Sequence, residues 1–171
     1  SYNSAYYLYR LYSARENNEK AVSFLQLAID SDSIDDQTKG DYLMELGTFY
    51  FKRMSNNAIA AQRCLEAFEF NEEIKGRAYL LMGHIWTMAK VRDGDMPDID
   101  ARANFWVAVD YFVRAKQADS TLAEEADRLI ATYRQYFPTA EEAFMHDLSD
   151  GASYTVRANG LSATTTVRTN K

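Results

Sequence analysis

The sequence predicts an all-α chain, a solenoid of about three and a half α-α hairpins, closed by a C-terminal β-hairpin. Three observations carry that prediction. Two prolines and seven glycines in 171 residues leave room for long helices. One spacing of small and large apolar residues recurs as Ala21-x3-Leu25-x2-Ala28, Ala60-x3-Cys64-x2-Ala67 and Ala108-x3-Phe112-x2-Ala115. Positions i, i+4 and i+7 share a helix face, and alanines around a larger residue let a second helix come close. Last, the stretch SYTVRANGLSATTTVRT at 153–169 replaces the Ala, Leu and Glu of the preceding chain with strand-forming Thr, Val and Tyr.

A second pattern precedes each of the first three: Ala5-x2-Leu8-Tyr9-x2-Tyr12, Leu43-x2-Leu46-Gly47-x2-Tyr50 and Tyr79-x2-Met82-Gly83-x2-Trp86. Glycine inside a helix costs about 1 kcal/mol relative to alanine, so Gly47 and Gly83 at one register imply close contact with a partner helix. Leading and trailing helices therefore pair, at about 2–15 with 18–31, 38–54 with 57–71, and 74–91 with 101–118. The register resumes at Ala126-x2-Leu129-Ile130-x2-Tyr133, giving a seventh helix at about 121–137 that Pro138 closes. Thr139 followed by Glu142 is a capping-box start for a short eighth helix, about 139–147, which covers the open end of the stack. Two regions follow: a helical repeat domain over 1–149 and a tail over 150–171.

Within the tail, Asn159-Gly160 is the favoured pair for a two-residue type I′ turn. Folding there sets Ala158 against Leu161, Val156 against Ala163 and Tyr154 against Thr165. Tyr154, Val156, Ala158, Leu161 and Ala163 then share one face, with Tyr154, Val156 and Leu161 as its docking residues. A lone hairpin is marginal in water, so this face needs a support. Three are open: the chain's own end helices, the tail of a second copy, or a strand edge on a partner.

The order of the helical patterns resembles the tetratricopeptide repeat, whose signature W-x2-L-G-x2-Y then A-x3-F recurs every 34 residues. Here the leading register recurs at Leu8, Leu46, Met82 and Leu129, intervals of 38, 36 and 47, with the excess in the loops. The resemblance covers residues 2–137. Tyr9 and Ile130 replace the signature glycine, and Ser33, Glu72 and Ser120 stand where a closing proline is usual. The resemblance implies a concave face lined by the leading helices, with Tyr6, Arg10, Met44, Thr48, Phe51, Arg77, Leu80, His84 and Arg134 facing a bound peptide or protein segment. The competing role for Tyr6 and Leu80 is to complete the core. Relatives that clamp a peptide's terminal carboxylate use basic residues where Tyr6 and Leu81 stand and an Asn where Arg10 stands, so that ligand class is not implied. The end of the chain also resembles a recurrent type of tetratricopeptide protein from Bacteroidetes, through Tyr136-Phe137-Pro138, Glu141-Glu142-Ala143-Phe144, Tyr154-Thr155-Val156 and Thr164-Thr165-Thr166-Val167-Arg168-Thr169. That likeness implies a periplasmic or cell-envelope setting and no particular activity.

Composition narrows the function classes. A net charge of −6 argues against a nucleic-acid groove, which needs a basic face. Residues 150–171 carry three basic groups and one acid, so the tail is +2 and the remainder −8. No apolar run reaches the roughly 20 residues of a membrane span, so membrane insertion is not expected. The chain opens at Ser1 on the edge of a helical pattern, which reads as a piece of a longer precursor. Cys64 is the sole cysteine and reads as a small apolar core residue. His84 and His146, the only histidines, lack a neighbouring nucleophile or metal-binding partner in sequence, and His84 reads as a groove-wall or packing residue. The acidic stretch DGDMPDID, 93–100, offers Asp93, Asp95, Asp98 and Asp100 as hard oxygen ligands for calcium. Pro97 departs from the EF-hand pattern, and a solvated insertion is the other reading. No phosphate-binding glycine motif is present. The expectation is a non-enzymatic module without cofactor, binding protein or peptide, in an oligomeric state that the sequence leaves open. The alternative is a structural end-cap or self-associating module of a longer envelope protein.

Overall fold

A computed structural model describes residues 1–91 and 96–171. The chain divides into two compact units, Ser1–Ala78 and Tyr79–Lys171. The first holds α1 (Tyr2–Ala14), α2 (Asn18–Ile29), α3 (Asp36–Met54), α4 (Asn57–Phe70), a 3₁₀ turn at Glu72–Ile74 and the start of α5 (Lys75–Thr87). The second holds the rest of α5, α6 (Pro97–Ala118), a 3₁₀ turn at Ser120–Leu122, α7 (Ala123–Arg134), α8 (Ala140–Met145), and the strands β1 (Ser153–Ala158) and β2 (Leu161–Thr166).

Local chemistry sets these boundaries. Asn17, Asp35 and Asn56 cap α2, α3 and α4 by accepting from the backbone N–H of Lys20, Thr38 and Ile59. Between the helices, Glu16 (φ 59°) and Ser55 (φ 50°) turn the chain in the left-handed region. Two helix ends differ from the sequence reading. α5 stops at Thr87 rather than 91, and α6 starts at Pro97 rather than 101. Proline at the first helical position loses only a donor that would be unpaired anyway, so Pro97 begins α6 at no cost. Asp98 and Asp100 then lie in that first turn, where Asp100 accepts from the Met96 N–H at 3.4 Å.

The recurring spacing builds the core. All nine residues of the trailing-helix motif (Ala21, Leu25, Ala28, Ala60, Cys64, Ala67, Ala108, Phe112 and Ala115) are 0% exposed. α1 packs on α2, α2 on α3 and α3 on α4, while in the second unit α6 packs on α7. The signature glycines serve this packing. A Cβ on Gly47 would sit 3.1 Å from the Ala60 carbonyl oxygen and 3.2 Å from Cys64 Sγ. One on Gly83 would sit 2.4 Å from the Phe112 ring. The helices thus repeat one packing pattern, leading glycine against trailing large residue.

The hairpin pairs in the expected register, Ala158 with Leu161, Val156 with Ala163 and Tyr154 with Thr165. Its turn is not type I′. Gly160 takes φ 71° while Asn159 keeps a negative φ, so only the second turn residue is left-handed, as in a type II turn. The inner face rests on the chain's own α6, the first of the three supports. Val156 and Ala158 are buried, and Thr165 joins them as a buried polar residue.

Candidate functional site

In the first unit an open cleft is lined by Asp41, Met44, Glu45, Thr48 and Arg77. The first four lie on α3, at spacings that place them on one face, and Arg77 comes from the first turn of α5. Three of the residues expected to face a ligand, Met44, Thr48 and Arg77, therefore share a wall. Met44 is half-buried and packs against the core of the first unit. The Thr48 hydroxyl donates to the Met44 carbonyl at 2.9 Å, so it is already satisfied within α3.

Charge in the cleft is partly spoken for. Asp41 Oδ1 accepts from Asn71 Nδ2 at 3.1 Å and faces the Arg77 guanidinium at 3.9 Å. The Arg77 side chain is 59% exposed, so its remaining donors face solvent. Glu45 accepts from the Tyr6 hydroxyl, whose oxygen lies 2.9 and 3.1 Å from its two carboxylate oxygens. Tyr6 stacks on Tyr42 with centroids 4.4 Å apart. Burial, followed by the Glu45 hydrogen bond, pushes the Tyr6 phenol up to about 12. Tyr6 is thus committed to joining α1 to α3 and is only half-buried while doing so. Arg10 is exposed on α1, and Phe51 is half-buried near the end of α3.

The other expected ligand-facing residues lie in the second unit. Leu80 is half-buried. His84 meets the Phe112 ring edge-on with centroids 5.4 Å apart, a packing role. Arg134 is exposed at the end of α7, where its carbonyl accepts from Asn170 Nδ2 at 2.7 Å. Cys64 lies buried over Gly47, and burial pushes its thiol up to about 12, so it is not a reactive thiolate.

Of the acidic stretch, Asp93 and Asp95 lie outside the described residues. Asp98 is exposed, and Asp100 accepts from the Tyr154 hydroxyl. Among the described residues no three His, Cys, Asp or Glu side chains converge as metal ligands. Nor is any described helix long and apolar enough to cross a membrane.

The tail docks on α6 through a polar network. Trp106 Nε1 donates to the Arg168 carbonyl at 2.9 Å, and the Arg168 guanidinium returns a bond to the Trp106 carbonyl at 2.8 Å. Arg168 also pairs with Asp110 at 2.8 Å, and Asp110 accepts from Thr165 Oγ1. Tyr154 stands edge-on to Trp106, centroids 5.4 Å apart, and Val156 is buried. Leu161 is only half-buried, while its cross-strand partner Ala158 is buried. Sequence reasoning missed Trp106, Asp110 and Glu45. Asp110 alone carried a signal, as an acid following the apolar run Trp106-Val107-Ala108-Val109 of α6.

No family model matches the chain, and no curated protein matches it.

Proposed function

We propose that the chain is a tetratricopeptide-like interaction module, non-enzymatic and without cofactor, whose leading helices hold an extended peptide or protein segment. The observation that carries this reading is the cleft of Asp41, Met44, Glu45, Thr48 and Arg77. It combines an apolar floor with acceptors on one helix and an exposed guanidinium on the next, and arginine beside an apolar contact is a common composition for protein-binding surfaces. Its mixed charge suits a segment carrying both signs rather than a terminal carboxylate alone.

The test is selection of short peptides from a random library against the intact chain, followed by affinity measurements on Met44→Glu and Arg77→Glu. Selected peptides are expected to lose at least about tenfold in affinity, or ~1.4 kcal/mol, for each variant. Peptides that bind both variants as well as the parent would overturn the reading. A library that yields no binder would favour the second reading, a structural end-cap or self-associating module of a longer cell-envelope protein. That second reading is favoured by the tail seated on α6 and by α7, whose outward residues Glu124, Glu125, Asp127 and Arg128 are all exposed and charged. The envelope setting rests on the resemblance of the tail sequence alone.

A further inference from the structure

The hairpin has two outer edges with different surroundings. On β1, Val91 makes an antiparallel bridge to Ala158. On β2 the hydrogen-bond phase is fixed by the Val167 N–H, which donates to the Ala152 carbonyl at 2.9 Å. Alternation then directs the backbone groups of Leu161, Ala163 and Thr165 toward β1, and those of Ser162, Thr164 and Thr166 away from it. These three residues are exposed. Among the described residues no backbone group pairs with them on that side. The Thr166 carbonyl accepts from Arg168 Nε at 3.3 Å, and among the described residues no side chain bonds to Ser162 or Thr164. Edge strands are normally guarded by proline, lysine, a bulge or extreme shortness. β2, six residues reading LSATTT, has none of these.

We propose that the free edge of β2 is a self-pairing surface that takes β2 of a second copy, antiparallel about a twofold axis at Thr164, to make one four-stranded sheet from two hairpins. An isologous contact requires a surface complementary to itself. With the axis at Thr164, that residue faces its own copy, Ser162 faces Thr166, and Arg168 falls opposite Gly160, so no like charges meet. Thr–Thr and Thr–Ser cross-strand pairs are favourable neighbours. Ser162, Thr164 and Thr166 themselves carry no charge, and an identical strand matches them at every position. The cleft beside Thr164 and Thr166, lined by Val113, Arg114 and Gln117 of α6, leaves the edge open on that side. Because α6 already holds the hairpin, pairing requires no further ordering of the strand. The edge shares no residue with the cleft on α3 and α5, so this inference stands or falls without the peptide-binding reading.

Sedimentation equilibrium and amide exchange on the whole chain over a wide concentration range test the pairing. The expected result is a dimer that grows with concentration, slower exchange at Ser162, Thr164 and Thr166 as it forms, and protection at Val156 and Ala163 at every concentration. Thr164→Pro removes an N–H that points away from β1, so it is expected to abolish the dimer while leaving Val156 and Ala163 protected. Thr164→Lys sets two ammonium groups opposite each other at the axis. It is expected to abolish the dimer at low salt and to recover part of it at high salt, which proline does not. If proline disturbs the hairpin, the lysine variant decides. A chain that stays monomeric at every concentration, or a dimer that survives both substitutions, would overturn the proposal.

Discussion

A methyl group added at Gly83 would lie 2.4 Å from the Phe112 ring, a contact that only a shift of the ring or of a helix can relieve. At Gly47 the nearest atoms are at 3.1 and 3.2 Å, within reach of a small adjustment. Alanine improves helix propensity by about 1 kcal/mol at either place. Gly83→Ala is nevertheless expected to destabilise by about 1–3 kcal/mol through overpacking, and Gly47→Ala to be near neutral. Urea unfolding midpoints of the two variants decide this. The glycines were legible in the sequence because an unfavourable residue at one register of two helices needs a packing cause. Glu45 was not legible, since its partner Tyr6 lies 39 residues away and nothing local marks the pair. Tyrosines give a second check at this scale. Burial raises the phenols of Tyr6, Tyr9, Tyr42, Tyr111 and Tyr154 above their ordinary value of 10. The unfolded chain releases these protons near pH 10 and the folded chain later. Their contribution is therefore complete below pH 10 and is lost as pH rises through the folded values. Phenolate absorbance should show part of the twelve tyrosines titrating late, together with unfolding.

For the tail, alternation and turn chemistry specified the strands, their register and their faces, because each depends on residues a few positions apart. What the inner face rests on was beyond such reasoning. Trp106 and Asp110 lie in a helix more than forty residues earlier, and no local pattern pairs a helix with a hairpin. Both bounds of the long link were misplaced: Pro97 offered a simple rule for the start of α6 that the expected start near 101 passed over, whereas the end of α5 at Thr87 followed no cap residue. Trp106→Phe keeps an aromatic side chain but removes the donor to the Arg168 carbonyl and leaves a void at a fully buried site, at an expected cost of about 2–3 kcal/mol. Amide exchange should quicken at 163–167 while α1 to α4 keep their protection. Unchanged exchange at 163–167 would mean that apolar contact alone holds the tail.

Across the whole molecule the repeat was the most legible feature, because one spacing used three times averages out the ambiguity of any single helix. The cleft was less so. Which leading-helix side chains converge depends on hairpin angles, and the departures at Tyr9, Ile130 and the missing prolines left those angles unset. Acid should loosen the chain at two particular points. Arg102 beside Glu142 holds that carboxyl below its ordinary 4.5, and the Thr38 N–H does the same for Asp35. Both groups lend stability above the ordinary carboxylate range and lose it as pH falls through their lowered values. Exchange at the starts of α3 and α8 is expected to rise first on acidification, and Glu142→Gln to flatten the response at α8 alone.

The ties between α6 and the tail have a consequence for the order of events as the chain is made. Trp106 meets Arg168 across 62 residues, Asp110 meets Thr165 across 55 and Asp100 meets Tyr154 across 54. The helix pairs of the first unit, by contrast, join neighbours in sequence and can form as soon as each is synthesised. Contacts so distant are the slow ones in folding, since a long loop must close before any bond rewards it. Until the residues after 150 arrive, α6 carries an indole without its acceptor and a carboxylate without its guanidinium. Its tail-facing surface is then open to whatever assists or intercepts nascent chains, and arrival of the tail withdraws it.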